Sequence, residues 1–286
     1  MIELRLLGSL ELVGPDDTPI LSVLAQPKRV ALLAYLAAAE PRGFHSRDKL
    51  LALFWPEVDD EHARNSLRQS LHFLRRSLGE ETITTQGEGI GVSDAELTCD
   101  VTEFYEAVER EAYRETLDLY RGPFLEAFHL PDAPEFDRWL DGQRDRARAS
   151  AVRAAERLSE NEEREGHLAA AVDAARQLVK LSPESGRAAK RLIELLAKHG
   201  DRGGALHAYE AFSERLAEDL GLEPSGDIKQ LVERIRSGEG ADGPIERSAE
   251  PPVEPSVPAR ATEAARPAAA DSAALGPEAP RQTEPG

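Results

Sequence analysis

The chain has 286 residues, of which 41% are hydrophobic and 5% aromatic, and its formal net charge is −18. This length favours two domains with extensions over a single domain, and an apolar fraction carried mainly by alanine and leucine suits helix-on-helix packing. A chain this acidic is a poor non-specific ligand for nucleic acid, so any such contact has to come from a local basic face.

Ile2 to Val13 is rich in strand formers and Gly14-Pro15-Asp16-Asp17 is a turn signal, which predicts two short strands and a hairpin. Gln26-Pro27-Lys28-Arg29 then opens an apolar helix over Val30 to Ala39, ended by Pro41-Arg42-Gly43. Ser46 is an N-cap for a second helix from Arg47 to Phe54, and Trp55-Pro56 stops it, because proline removes a donor and restricts the residue before it. A third helix is predicted over Asp60 to Leu78, with Asp59, Asp60 and Glu61 at its positive end and Gly79 as its stop. Thr82-Ile83-Thr84-Thr85 and Ile90-Gly91-Val92 flank Gln86-Gly87-Glu88-Gly89, a β-hairpin with a glycine-rich tip. Strands, three helices and a hairpin are the order of a winged helix-turn-helix.

From Asp100 the pattern is helical only. Segments are expected over Val101–Arg110, Arg114–Tyr120, Pro134–Glu165, His167–Leu181, Glu184–His199, Arg202–Leu220 and Ser225–Arg236. Leu158, Gly166, Ala171 and Val172 are echoed 34 residues later by Leu192, Gly200, Ala205 and Leu206. That is the tetratricopeptide period, in which each helix hairpin buries its apolar face on the next; an ordinary helical bundle is the plainer alternative. Gly238 to Gly286 is dominated by proline, alanine and glutamate without apolar periodicity, and is expected to be a disordered tail. The expected fold is therefore mainly α: a winged helix-turn-helix over 1–99, an all-α tetratricopeptide-like domain over 100–237 and a disordered tail over 238–286.

The third helix carries the informative chemistry. At about 100° per residue, Arg64, Asn65, Arg68, Gln69, His72, Arg75 and Arg76 fall within an arc of about 140°, and Ala63, Leu67, Leu71, Leu74 and Leu78 lie opposite. Arginine can bond guanine O6 and N7 together, and asparagine and glutamine can do the same to adenine N6 and N7. A solvated amphipathic face would look similar, but no acid interrupts Arg64 to Leu78. Between Lys28 and Leu78 there are nine basic residues and six acids, net +3 within a chain of −18. Lys28, Arg29, Arg47 and Lys49 lie near helix starts, where backbone amides also favour phosphate.

These motifs carry a family resemblance. Leu53-Phe54-Trp55-Pro56, Ala63-Arg64, Leu67-Arg68, Leu71 and Leu74-Arg75-Arg76-Ser77-Leu78 resemble the actinobacterial antibiotic-regulator (SARP) type of winged-helix protein. Leu119-Tyr120-Arg121-Gly122-Pro123-Phe124-Leu125, Pro134-Glu135-Phe136, Trp139-Leu140, Gly200-Asp201-Arg202, Ala205-Leu206, Tyr209-Glu210 and Leu220-Gly221-Leu222-Glu223-Pro224-Ser225 resemble the bacterial transcriptional activator domain. The resemblance spans roughly Met1 to Arg236. It implies an activator that binds double-stranded DNA at repeated promoter sites, pairs as two copies there and contacts RNA polymerase. Glu88 departs from it, placing an acid at a wing tip where a basic residue would meet phosphate.

Other function classes find little support. The sequence has no G-x-x-x-x-G-K-[ST], H-E-x-x-H or G-x-S-x-G motif, so neither an enzyme nor a cofactor is expected. The single cysteine, Cys99, excludes an intrachain disulfide framework and a cysteine-rich zinc site, and reads as a small apolar strand residue. No metal is expected, since His45, His62, His129, His167, His199 and His207 show no paired ligand spacing. Trp55, Tyr120 and Trp139 read as core aromatics. There is no signal-peptide pattern and no apolar run long enough for a membrane span, so a cytoplasmic location is expected. A helical-repeat scaffold whose winged domain binds protein in place of DNA is the competing class.

Overall fold

The computed structural model describes residues 1–238. In chain order they form β1 (Ile2–Arg5), β2 (Glu11–Val13), α1 (Leu21–Leu24), α2 (Pro27–Ala38), β3 (His45–Ser46), α3 (Arg47–Phe54) and α4 (Asp60–Leu78). Next come β4 (Ile83–Gln86), β5 (Gly89–Val92), β6 (Leu97–Cys99), α5 (Asp100–Glu109), α6 (Tyr113–Leu119) and α7 (Pro134–Arg164). The series closes with α8 (Leu168–Leu181), α9 (Gly186–Lys198), α10 (Arg202–Leu220) and α11 (Gly226–Ser237). The expected tail, apart from Gly238, lies outside the described residues.

Two small sheets frame the N-terminal helices. β1 pairs antiparallel with β2 and parallel with β6, Ile2 lying opposite Leu97. The hairpin expected within Ile2–Val13 is present, but its turn is not the Gly14–Asp17 signal. That signal closes a separate turn, in which the Gly14 amide donates to the Thr18 carbonyl at 2.9 Å, before Val13 bridges Pro19. The second sheet has the order β3-β5-β4. α2 has no solvent stripe over its central turns: Val30 to Leu36 are all buried. Pro27 occupies its first turn, where a missing amide proton costs no helical bond.

One core runs continuously from Ile2 through Leu4, Leu33, Phe54, Leu74 and Phe104 to Phe124, Phe136, Leu140 and Ala151. The boundary expected at 99/100 is therefore not a break in the packing. The core passes through α5, α6 and the first half of α7 before it ends. An aromatic cluster makes the join: the Phe54 and Phe136 ring centres are 5.2 Å apart, Tyr35 and Trp139 4.8 Å, and Phe136 and Trp139 5.3 Å. Phe54 and Phe136 are fully buried, each contributing roughly 1.5–3 kcal/mol of transfer free energy.

Asp100 makes a second join, between β1 and α5. Its carboxylate accepts the amides of Leu6 and Leu7 at 2.8 and 3.0 Å, giving partners to donors beyond the strand end that would otherwise be buried without one. Burial raises the Asp100 pKa above the usual carboxylate range, against those two hydrogen bonds. Cys99, in β6, is buried, and burial pushes its thiol up to about 12. It is a strand residue held as the unreactive thiol.

The C-terminal helices pack in sequence, α7 on α8, α8 on α9 and α9 on α10. The 34-residue echo extends to the backbone. Gly166 and Gly200 both have positive φ, +84 and +89, where a side chain would be strained. The His167 amide donates to the Glu162 carbonyl, and 34 residues on the Asp201 amide donates to Leu196, at 2.8 and 2.9 Å. A second core spans Ala171, Leu192, Ile193, Leu196, Ala205, Phe212 and Val232.

Candidate nucleic-acid interface

α3 and α4 are fixed at their ends by local chemistry. The Ser46 hydroxyl accepts the Lys49 amide at 3.3 Å, opening α3. Asp59 accepts the His62 amide at 3.1 Å, opening α4, and also meets the His62 ring at 2.8 Å. Those hydrogen bonds from His62 hold the Asp59 carboxyl below its usual range. Gly79 closes α4.

α4 buries Ala63, Leu67, Leu71, Leu74 and Leu78 against the core and exposes Arg64, Asn65, Arg68, Gln69, His72 and Arg76. A groove of about 670 Å³ lies between this face, α3 and the turn of the β4–β5 hairpin. Arg47, Arg64, Arg68, His72 and Arg75 line it together, with Asp48 and Glu88 as its two carboxylates. Arg75 is half-buried: its Nε donates to the Ile83 carbonyl at 3.0 Å and ties α4 to β4. Arg64 reaches Asp60 one turn back, at 3.2 Å.

The hairpin is seated by close packing. A Cβ on Gly89 would fall 2.7 Å from the Cβ of Phe44, so only glycine lets β5 approach the segment leading into β3. At the tip, the Arg47 amide donates to the Glu88 carbonyl at 3.2 Å, and the Arg47 Nε lies 3.4 Å from the Glu88 carboxylate. Glu88 is thus joined to a cation of the groove.

Three of the expected phosphate-contacting residues do not line the groove. Lys28 pairs with Asp132, in the loop before α7, and its Nζ lies 5.6 Å from the Trp55 ring centre. Arg29 stacks on Phe73, 3.9 Å from the ring centre, as a cation–π contact. Lys49 is exposed on α3, its Nζ 5.7 Å from the Tyr35 ring centre. Asn65, Gln69 and Arg76 share the exposed face of α4 outside the groove lining. His45 is buried behind this surface, 5.1 Å from Tyr35, and burial followed by the nearby Lys49 charge lowers its pKa. Nothing in its local sequence announced that position. The Glu88–Arg47 pair was equally hidden, because 41 positions separate the partners.

Residues 99–236 match the family described as the bacterial transcriptional activator domain. Over that domain and the segment before it, the chain is similar to regulators of the SARP type. The regulatory protein AfsR of Streptomyces griseus is 26% identical over 241 residues, covering 79% of this chain and 24% of its own length. The chain thus spans about a quarter of the length of that curated relative. Mycobacterium tuberculosis EmbR, solved in complex with a low-affinity phosphopeptide, shares the fold with a TM-score of 0.55 and 24% identity, over 84% of this chain and 66% of that one.

Proposed function

We propose that this chain is a sequence-specific DNA-binding transcription regulator with no catalysis or cofactor of its own, acting in the cytoplasm. In this reading residues 1–99 are a winged helix-turn-helix, α4 is the recognition helix and the β4–β5 hairpin is the wing. The supporting observation is the division of α4 into a buried leucine face and an exposed face of Arg64, Asn65, Arg68, Gln69, His72 and Arg76. An α-helix fits the major groove, and these side chains can form the bidentate base contacts that discriminate sequence. Arg47 and Lys49, at the start of α3, supply phosphate contacts, and Arg76 joins them from the far end of α4.

Activation of transcription, pairing of two copies on repeated promoter sites and contact with RNA polymerase follow from the family resemblance and belong to the same proposal. Among the described residues no helix is long and apolar enough to cross a membrane. A second reading, a helical-repeat scaffold that binds protein alone, is favoured by the acids at the start of α4, Asp59, Asp60 and Glu61, all exposed. Selection from a randomised duplex library, followed by anisotropy titration of the enriched duplex, separates the two. A regulator yields one enriched motif; a scaffold yields none.

A further inference from the structure

A second cationic cleft lies at the junction of the two cores. It has a volume of about 500 Å³ and opens between the end of α6, the loop that follows it, α7 and the end of α8. Arg121, Arg148 and Lys180 line it around Leu117, Leu181 and Pro183; none of its lining residues is acidic, and the nearby Glu126 carboxylate lies beside Gly122 and Tyr120. The groove on α4 and the clefts beside β6 and beside α9 each contain two or three carboxylates. Residues 100–237 hold 21 basic and 29 acidic residues, net −8, so a cleft with three cations and no acid among its lining residues is out of keeping with its surroundings.

The geometry is partly fixed. The Arg148 Nε donates to the Leu181 carbonyl at 2.9 Å, which sets the guanidinium on the rim. The loop at the floor is joined to the end of β1: the Gly8 amide donates to the Pro123 carbonyl at 3.0 Å, and Leu7 bridges Phe124. An occupant would therefore touch both the first helix hairpin of the repeat and the backbone that continues into the N-terminal sheet.

We propose that this cleft is a docking site for an acidic peptide segment of a partner protein, with carboxylates on Arg121, Arg148 and Lys180 around one aliphatic or aromatic side chain on Leu117 and Leu181. The cations are exposed, so a small anion would stay largely hydrated there, whereas a peptide covers rim and floor at once. A duplex is disfavoured because its extended phosphate row would meet the net −8 of the surrounding helices. The proposal is independent of the DNA reading.

The test uses the full chain and a fluorescein-labelled twelve-residue peptide of alternating glutamate and leucine, at low salt. Carbodiimide coupling, which joins carboxylates to lysines, should place the peptide on Lys180 in preference to Lys190, Lys198 and Lys229. Anisotropy should show that Arg121→Gln with Lys180→Gln weakens binding about fivefold or more, while Lys229→Gln with Arg236→Gln changes it less than about twofold. Coupling spread evenly over the lysines, equal losses in the two double variants, or no binding by the wild type would overturn the proposal. Displacement of the peptide by millimolar citrate would assign the cleft to small anions, and displacement by a non-specific duplex would assign it to nucleic acid; either result also overturns it. The coupling experiment uses the wild-type chain, so it holds even if a variant folds poorly.

Discussion

On α4, Arg68 and Arg76 stand in solvent and form no ion pair among the described residues, while cations of the C-terminal helices are repeatedly matched with acids. There Arg191 and Lys198 share Glu163, each at 2.5 Å; Lys190 meets Asp227 at 2.7 Å and Lys229 meets Glu223 at 2.6 Å. Both regions are amphipathic and rich in arginine. They differ in how far the positive charge is neutralised within the fold, since Arg64 on α4 is paired with Asp60 and Arg148 and Lys180 of the C-terminal helices form no ion pair among the described residues. A neutralised cation has little left to offer a phosphate, whereas an unpaired one releases counterions when it meets one. Net charge does not express this distinction, and so a chain of −18 can hold a face suited to DNA.

Four substitutions can break or sharpen that contrast. Arg68→Ala should have the largest effect, costing about 1–3 kcal/mol on the preferred duplex and relaxing its sequence preference. Competition on a randomised library reads both, and an unchanged preference would remove Arg68 from base recognition. Arg191→Ala should do the reverse. It leaves the half-buried Glu163 and the buried Ser159 without that partner, lowering stability by about 1–2 kcal/mol while leaving DNA affinity unchanged. A denaturant titration beside a binding curve separates the two effects.

Glu88→Gln should produce a smaller gain. The Glu88 carboxylate pairs with Arg47; if Arg47 contacts phosphate as proposed, neutralising Glu88 should raise affinity about two- to fivefold. It should also steepen the log–log salt dependence by about one ion. A loss of affinity would mean that Glu88 positions Arg47 for binding. Smallest of all is Arg236→Gln, which removes an exposed pair to Glu233 at 2.9 Å. Its melting temperature should stay within about 2 °C of the wild type, with DNA binding untouched.

The bounds and faces of α3 and α4 were readable because their determinants are local. Ser46, Trp55-Pro56, Asp59 and Gly79 mark the ends of α3 and α4 within a few residues of the helices they bound, and the two faces of α4 follow from its period alone. The four-residue α1, β3, and β6 with its pairing to β1 were not readable. The parallel pairing of Ile2 with Leu97 joins positions too distant for any local pattern to report. The same holds for the Asp100 carboxylate beneath Leu6 and Leu7, and for Lys28, which a helix-start argument assigns to phosphate and the fold assigns to Asp132. The 34-residue echo was legible because the chain must turn at Gly166 and again at Gly200, and glycine meets that need at both.

The most direct test of the α4 face is the salt dependence of DNA affinity, measured by fluorescence anisotropy on a selected duplex from about 50 to 200 mM salt. With Arg47, Lys49 and Arg76 on phosphate, log K should fall against log salt with a slope of roughly −3 per subunit. The Arg47→Ala with Arg76→Ala variant should reduce that slope by about two. A slope that is the same in the wild type and the double variant, or no binding to any genomic fragment at low salt, would contradict the assignment of α4 as the DNA-reading helix.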